Sequence, residues 1–168
     1  ITGAGGLIGR YMVQTAGRWA PGWEVRGLTR QDADLTDAGA VRRLWRVLHP
    51  HAVIHCAAQS RTGLCQQDPT LAQRINVKAT ALLAELAAEI PFLFLSSDQV
   101  FDGAKGWYVE TDPVNPLNVY GETKAEAERI VLQNPRHSVV RVALNAGTSP
   151  TGDRSFVEDM RNSVKGGT

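Results

Sequence analysis

The sequence predicts an α/β fold in which a doubly wound parallel sheet carries helices on both faces. Helix-like and strand-like segments alternate along the chain with short connections. The strand candidates at residues 52–57 and 92–95 are almost continuously apolar, and a glycine-rich stretch at residues 3–9 leads into the first helix. In such sheets ligands bind beyond the carboxyl ends of the strands, so polar residues that follow a strand are the functional candidates.

The first part of the chain supplies helix, strand and helix in that order. The first helix is expected over residues 7–20, because Pro21 and Gly22 then interrupt the chain. Residues 24–29 are a short strand candidate. A second helix is expected over residues 37–48, with Asp37 as its N-cap and the sequence His49-Pro50 after its end.

The alternation continues through the rest of the chain. The expected strands are residues 52–57, 92–95 and 139–142. The expected helices are residues 71–90, which form the longest one, residues 117–133, and a short helix after Ser155. Turn-forming glycines and prolines indicate a loop over residues 98–116.

Length and composition bound the function classes. The 168 residues are 43% hydrophobic and 21% charged, with a net charge of +1, which is ordinary for a globular domain and offers no basic surface for nucleic acid. No run of 18 apolar residues occurs, so no membrane span is expected. Two cysteines, Cys56 and Cys65, cannot form a disulfide framework, which indicates a reducing, cytoplasmic setting.

The glycine-rich stretch TGAGGLIG at residues 2–9 fits the pattern G-x-x-G-x-x-G through Gly3, Gly6 and Gly9. It does not fit G-x-G-x-x-G, because Ile8 stands where the third glycine would be. Glycines at this spacing permit a tight turn, let the backbone approach a pyrophosphate and allow close helix packing. The pattern therefore indicates a dinucleotide-binding loop, with a simple glycine-rich turn as the alternative.

Two further motifs carry acid–base chemistry. Tyr120 and Lys124 are four residues apart in an expected helix, which places both on one face, and a nearby ammonium lowers the pKa of a phenol. Ser97 follows a buried strand, where its hydroxyl can bond a substrate carbonyl and the tyrosine oxygen. Taken alone, the tyrosine–lysine pair could be an accident of an exposed helix face, and Ser97 could be a capping or turn serine. Their joint position at strand ends and helix starts favours an active site.

With these residues the chain resembles the extended short-chain dehydrogenase/reductases, through T-G-x-x-G-x-x-G at residues 2–9, Ser97 and Y-x-x-x-K at residues 120–124. The run SSDQVFDG at residues 96–103 is similar to the S-T-D-Y-V-F-D-G run of the dTDP-4-dehydrorhamnose reductases. ETD at residues 110–112 and PLNVYG at residues 116–121 match that subfamily as well. The resemblance covers essentially the whole chain and implies a Rossmann-like fold.

The resemblance also implies a role for each site residue. Tyr120 would be the general acid that protonates a sugar keto oxygen, Lys124 would bind the nicotinamide ribose and hold the tyrosine pKa down, and Ser97 would orient the carbonyl. The implied cofactor-binding residues are Gly3, Gly6, Leu7, Ile8, Gly9, Arg30, Asp34, Leu35, Ala57, Ala58, Asn76, Tyr120 and Lys124. The expected activity is reduction of a nucleotide-linked 4-keto-6-deoxy sugar. A homodimer is compatible with this expectation.

Two positions refine this expectation. Arg30 ends the second strand candidate, where an acidic residue would accept the ribose 2′-hydroxyl of NAD(H); an arginine suits a 2′-phosphate, so NADP(H) is favoured. Gln99 replaces the tyrosine of the reductases and the glutamate of related dehydratases. An amide cannot act as a base, which disfavours dehydration. Residues 59–67 lack the acidic segment of the reductases, which leaves the sugar open.

Two other functions stay open at this point. One is a nucleotide-sugar 4-epimerase that retains NAD. The other is a non-catalytic regulatory subunit similar to that of methionine adenosyltransferase.

No metal site is expected at the three histidines near the strand candidate 52–57. His49 and His51 precede this strand while His55 lies near its end, so the rise of the strand separates them.

The expected organisation is an NAD(P)-binding domain over residues 1–150 and the start of a substrate-binding region over residues 151–168. The strand expected before Gly3 is represented by Ile1 and Thr2 alone. The resemblance implies a C-terminal region that shapes the sugar pocket. We therefore expect the first strand and the substrate region to be truncated here, in a protein of roughly 280–300 residues.

Overall fold

The computed structural model describes residues 1–143, in which three parallel strands form a sheet. They are β1 (Val53–His55), β2 (Phe92–Ser97) and β3 (His137–Val142), in that spatial order. In register, His55 lies beside Phe94, and Ser97 lies beside Val142. Thr2 bridges His55 on one side and Leu28 on the other, so the pairing continues past β1. The predicted parallel sheet is confirmed.

Helices alternate with these strands. Within the described residues they are α1 (Leu7–Trp19), α2 (Ala38–Leu48), α3 (Thr62–Gln67), α4 (Pro69–Gln73), α5 (Ala79–Leu86) and α6 (Val119–Val131). A π-helical turn, Arg74–Lys78, joins α4 to α5, and a 3₁₀ turn, Asp98–Val100, follows β2. The bounds of α1, α2 and α6 lie within two residues of those expected.

Three sequence-based expectations need correction. Residues 24–29 form a single bridge, at Leu28, because their partner in this chain is the short segment of Ile1 and Thr2. The helix expected over residues 71–90 begins at Pro69, ends at Leu86 and contains the π-helical turn. The helix α3 is not anticipated, because its six residues carry no helical apolar period.

The helix expected after Ser155 and the domain boundary expected after residue 150 lie outside the described residues. No helix within residues 1–143 combines the length and the apolar character that a membrane crossing requires.

The main hydrophobic core packs α2, α5 and α6 against β1 and β2. Its fully or almost fully buried members are Val41, Val53, Leu83, Ala84, Ala87, Phe92, Phe94, Ala127 and Val131. Phe92 and Phe94 are the largest of them, and the burial of each contributes about 1.5–3 kcal/mol. This packing holds α6 against β2, which places the beginning of α6 near the carboxyl end of β2.

Asp37 caps α2, as the sequence predicts. Its Oδ1 accepts a hydrogen bond of 3.0 Å from the Ala40 amide. Asp37→Ala removes this acceptor, and we expect it to lower the free energy of unfolding by about 1 kcal/mol, as measured by urea denaturation. Asp37→Asn keeps an acceptor oxygen and is expected to lose less. Equal losses in the two variants would contradict the capping role.

Candidate active site

The glycine-rich loop turns tightly against the residues that follow β1. Gly3 has φ +70°, and a Cβ there would lie 2.6 Å from the Ala57 amide nitrogen. A Cβ on Gly9 would overlap the carbonyl oxygen of Gly3. At Gly6 the closest neighbour of a Cβ would be 3.5 Å away. The close approach therefore requires glycine at positions 3 and 9, whereas position 6 is less confined.

The start of α1 offers a place for an anion. Gly6 is its N-cap, and no side chain caps the first turn, which begins with the half-buried Leu7 and Ile8. The positive end of the helix is therefore open to a phosphate. Ala57 and Ala58 are also half-buried, and the Ala57 backbone lies against Gly3 of this loop. A cradle closed by glycines and an uncapped helix N-terminus fit the pyrophosphate of a dinucleotide.

The turn before α2 carries three more of the expected cofactor residues. Arg30 and Asp34 are exposed, and Leu35 packs partly against the hydrophobic core. Asp34 Oδ1 accepts hydrogen bonds from the amide and the hydroxyl of Thr36, at 2.8 and 2.9 Å. These bonds hold the pKa of Asp34 below its usual value, with Arg74 and Arg30 acting in the same direction. The Asp34 carboxylate thus organises the turn.

Ser97 and Tyr120 are brought together at the end of β2. Both are buried, and Asn118 caps α6 by accepting a 2.8 Å hydrogen bond from the Gly121 amide. A Cβ on Gly121 would overlap the carbonyl oxygen of Gln99. Only glycine lets α6 begin so close to the backbone that follows β2, and this contact places the tyrosine beside the serine.

The environment keeps Tyr120 protonated. Burial raises the pKa of its phenol above the usual value, and the neighbouring Ser97 side chain partly offsets this. The Ser97 hydroxyl also donates to Asp98 Oδ1 at 3.0 Å. A phenol that holds its proton at neutral pH can act as a general acid.

Lys124 points toward the main chain of β2. Its side chain is buried, and Nζ donates a 2.6 Å hydrogen bond to the Leu95 carbonyl oxygen and lies 3.9 Å from the Phe94 ring centroid. Burial lowers the pKa of Lys124 to about 7, and Glu128 acts in the opposite direction. The expected lowering of the Tyr120 pKa is not seen in this structure, because burial of the phenol outweighs the influences that lower it.

Asn76 lies in the π-helical turn and is buried. Its Oδ1 accepts a 2.8 Å hydrogen bond from the Gln59 amide, and its Nδ2 donates to the Gln59 carbonyl oxygen and to Thr123 Oγ1 at 3.1 and 3.0 Å. Thr123 in turn donates to the Tyr120 carbonyl oxygen at 2.8 Å. Asn76 therefore ties the segment after β1 to the turn that carries Tyr120. Its contact with a cofactor stays a prediction.

An open cavity of about 550 Å³ lies beside the residues that follow Ser97. Its described lining is Asp98, Gln99, Phe101, Asp102, Gly103, Tyr108, Val109, Glu110, Arg141 and Ala143. Arg141 donates to both Glu128 carboxylate oxygens, at 3.0 and 2.7 Å, and to the Glu110 carbonyl oxygen at 3.2 Å. Arg141 is not predicted from sequence, because a single arginine in a strand belongs to no motif.

The histidines that the sequence places near β1 do not form a cluster. His55 is fully buried within β1, whereas His49 and His51 are exposed. Within the part of the chain that the structure describes, no group of three His, Cys, Asp or Glu side chains is arranged to hold a metal ion.

Comparison with known proteins extends this description. The family model described as the RmlD substrate binding domain matches residues 1–167. Methionine adenosyltransferase 2 subunit beta from Bos taurus is 40% identical, over 98% of this chain and 52% of that protein. The dTDP-4-dehydrorhamnose reductase from Aggregatibacter actinomycetemcomitans is 35% identical, over 98% of this chain and 56% of that protein.

A solved structure agrees with the fold. The crystal structure of a dTDP-4-dehydrorhamnose reductase from Clostridium acetobutylicum matches with a TM-score of 0.86 and 34% identity, over 98% of this chain and 58% of that one. The chain spans about half the length of the curated relatives it matches. By its glycine-rich loop, its Rossmann-like sheet and these matches, the chain belongs to the RmlD substrate binding domain family of the extended short-chain dehydrogenase/reductases.

Proposed function

We propose that this chain forms the dinucleotide-binding part of an NADP(H)-dependent reductase of a nucleotide-linked 4-keto-6-deoxy sugar, similar to the dTDP-4-dehydrorhamnose reductases. The observation that carries the proposal is the buried pair of Ser97 and Tyr120 at the end of β2, with Lys124 one turn further along α6. The glycine cradle at the start of α1 and the 35% identity to a reductase support it.

Reduction of a ketone adds a hydride to the carbon and a proton to the oxygen. A reduced nicotinamide, when bound, supplies the hydride. Tyr120 donates its phenolic proton to the carbonyl oxygen. The Ser97 hydroxyl, whose single proton turns from Asp98 Oδ1 to the substrate, orients that oxygen through a hydrogen bond. The raised pKa of Tyr120 supports this role, because the proton stays on the phenol oxygen at neutral pH.

Lys124 holds the nicotinamide ribose in this proposal. An ammonium has three donors, so its hydrogen bond to Leu95 still allows donation to ribose hydroxyls. With a pKa of about 7, Nζ can hold a proton below neutral pH and release it above. That range suits a group that supports proton transfer to a nearby phenol.

The preference for NADP(H) over NAD(H) rests on the turn before α2. Asp32 Oδ2 accepts hydrogen bonds from the Thr29 amide and hydroxyl, at 2.8 and 2.9 Å, and the carboxylate of Asp34 is engaged in the same turn. Both acids therefore organise the backbone, while Arg30 is exposed beside them. A guanidinium in this place suits the 2′-phosphate that distinguishes NADP(H).

Arg30→Ala is expected to raise the Kd for NADPH by about 10- to 150-fold and to leave the Kd for NADH within about twofold, because the loss of a charge-assisted hydrogen bond corresponds to roughly 1.5–3 kcal/mol. Fluorescence titration of the reduced cofactors measures both constants. Arg129→Ala, on the exposed side of α6, is the matched control. Equal Kd values for NADPH and NADH in the unmodified protein would refute the preference.

The activity is tested by NADPH oxidation with the full-length protein and a panel of nucleotide-linked 4-keto-6-deoxy sugars. We expect oxidation with at least one member, and none with the corresponding sugars that carry a hydroxyl at carbon 4. No oxidation across the panel would count against a reductase of this substrate class. NAD that remains bound through purification would favour the 4-epimerase hypothesis instead.

A second candidate is a non-catalytic regulatory subunit of methionine adenosyltransferase. The observation that favours it is the 40% identity to the subunit beta from Bos taurus, over 98% of this chain. The presence of Ser97, Tyr120 and Lys124 together favours the reductase. A stoichiometric complex with a methionine adenosyltransferase catalytic subunit, without NADPH oxidation on any sugar of the panel, would decide for the regulatory function.

A further inference from the structure

A chain of buried hydrogen bonds connects the glycine-rich loop to the π-helical turn. Thr2 Oγ1 lies 2.7 Å from His55 Nδ1, and His55 Nε2 lies 2.9 Å from Thr80 Oγ1. Thr80 Oγ1 donates to the Asn76 carbonyl oxygen at 2.7 Å. All four residues are 3% exposed or less. This series of hydrogen bonds therefore crosses the interior from the glycine-rich loop to the π-helical turn.

A count of protons gives each bond its direction. A carbonyl oxygen only accepts, so Thr80 uses its single hydroxyl proton on Asn76. Thr80 Oγ1 must then accept from His55, which places a proton on Nε2. A neutral imidazole has one N–H group, so Nδ1 accepts the hydroxyl proton of Thr2, and Thr2 Oγ1 accepts from the Ala57 amide at 3.4 Å.

The surroundings of the ring keep it neutral. Burial lowers the pKa of His55 to about 3, and the charge of Lys124 acts in the same direction. The ring stacks on Phe94 with a centroid separation of 5.8 Å, which fixes its plane. A charged imidazole would donate from both ring nitrogens, and the Thr2 hydroxyl proton would then lose Nδ1 as its acceptor, which favours the neutral form.

Both ends of this series of hydrogen bonds, Thr2 and Asn76, hold parts of the proposed dinucleotide site. Thr2 directly precedes Gly3, and its amide and carbonyl groups pair with the β1 segment, at Ile54 and Cys56. At the other end, the side chain of Asn76 holds Gln59 and the first turns of α6. A change in the length of the hydrogen-bonded connection from Thr2 to Asn76 would therefore move the glycine-rich loop relative to α6.

We propose that His55 is a positioning residue, which as the Nε2–H tautomer between Thr2 and Thr80 sets the spacing between the glycine-rich loop and the π-helical turn. It acts on the bound dinucleotide through Thr2 and Asn76. The identity of that ligand rests on the proposed function, whereas the tautomer and its partners do not.

Nitrogen-15 NMR of the imidazole in the full-length protein tests the tautomer directly. We expect a single Nε2–H form at pH 7 that remains unchanged down to pH 5. A proton on Nδ1, a mixture of tautomers or a titration near the usual histidine pKa of about 6.5 would each overturn the proposal. This measurement needs no substitution, so it is decisive even where a variant does not fold.

Variants of Thr80 test the positioning role. Thr80→Val removes the acceptor for His55, and we expect a mixed tautomer signal. We also expect about a tenfold higher Kd for NADPH, which corresponds to about 1.4 kcal/mol, because a displaced glycine-rich loop would lose part of its contact with the dinucleotide. Thr80→Ser keeps the hydroxyl and should restore both readouts. The control is Thr15→Val, because Thr15 also donates to the carbonyl oxygen four residues earlier, Tyr11 at 2.8 Å, but is exposed.

The outcomes separate the two proposals. A shifted tautomer in Thr80→Val with an unchanged Kd for NADPH would overturn the positioning role of His55. Unmodified protein that shows the expected tautomer but binds neither NADPH nor NADH would refute the proposed function, and with it the ligand assigned here. The expected tautomer together with the loss and rescue of NADPH binding would support both.

Discussion

Replacing Tyr120 by phenylalanine is expected to lower kcat by about 10²–10⁴-fold with the most active sugar of the panel, because that range is typical of a lost general acid. The Kd for NADPH should stay within about twofold. The phenolic hydroxyl is the only group removed, and the ring remains buried against Cys65 and Ala72, so the fold of α6 is kept.

A matched control distinguishes loss of the acid from loss of a tyrosine in general. Tyr11→Phe makes the same change on the outer side of α1, where the side chain is 47% exposed, and should leave kcat unchanged. Turnover in Tyr120→Phe equal to that of the unmodified enzyme would refute the assignment of Tyr120 as the acid. A large rise in the Kd for NADPH would place its role in binding instead.

Lys124→Met is expected to abolish most turnover and to change how stability depends on pH. In the folded protein burial lowers the pKa of Lys124 to about 7, compared with its ordinary value of 10.5. Below pH 7 both states carry the proton, and the full penalty of burying the charge is present. Between pH 7 and 10.5 the folded state has released the proton while the unfolded state still binds it, so the unmodified protein gains stability as pH rises.

The substitution removes this dependence. Relative to the unmodified protein, Lys124→Met should be most stable at pH 7 and below, and its advantage should shrink by up to about 1.4 kcal/mol per pH unit as pH rises toward 10. The lost hydrogen bond to Leu95 lowers the size of the difference but not its slope. Urea denaturation between pH 6 and pH 9.5 measures it.

Lys78→Met provides the comparison, because Lys78 is exposed in the π-helical turn. Its stability should follow that of the unmodified protein at each pH. Parallel curves of stability against pH for Lys124→Met and the unmodified protein would show that the ammonium of Lys124 is not held at a lowered pKa, and the proposed proton-transfer role would lose its support.

The features that local sequence determines are well predicted. The helix α2 begins after the capping Asp37, and β2 contains the apolar run at residues 92–95 that is typical of a covered strand. The pairing of Ser97 with Tyr120 also follows from sequence, because a strand end and the next helix start share one edge of a parallel sheet. These predictions depend on residues close together in the chain or on a general rule of topology.

Other features depend on contacts between distant residues. The sequence does not predict the hydrogen bonds of His55, because its partners Thr2 and Thr80 are 53 and 25 positions away. The same is true of Arg141, whose carboxylate partner lies 13 residues earlier on another element. The helix α3 forms from residues without a helical apolar period, so the sequence pattern does not predict it.

The sequence by itself determined the α/β class, the glycine-rich loop and the three residues of the proposed chemistry, because these are properties of composition, periodicity and spacing. Only the tertiary structure decided the protonation states and the connections within the site. Lys124, Tyr120 and His55 have pKa values shifted mainly by burial. Burial is the joint effect of many residues that lie far apart in the sequence, so no local pattern contains it.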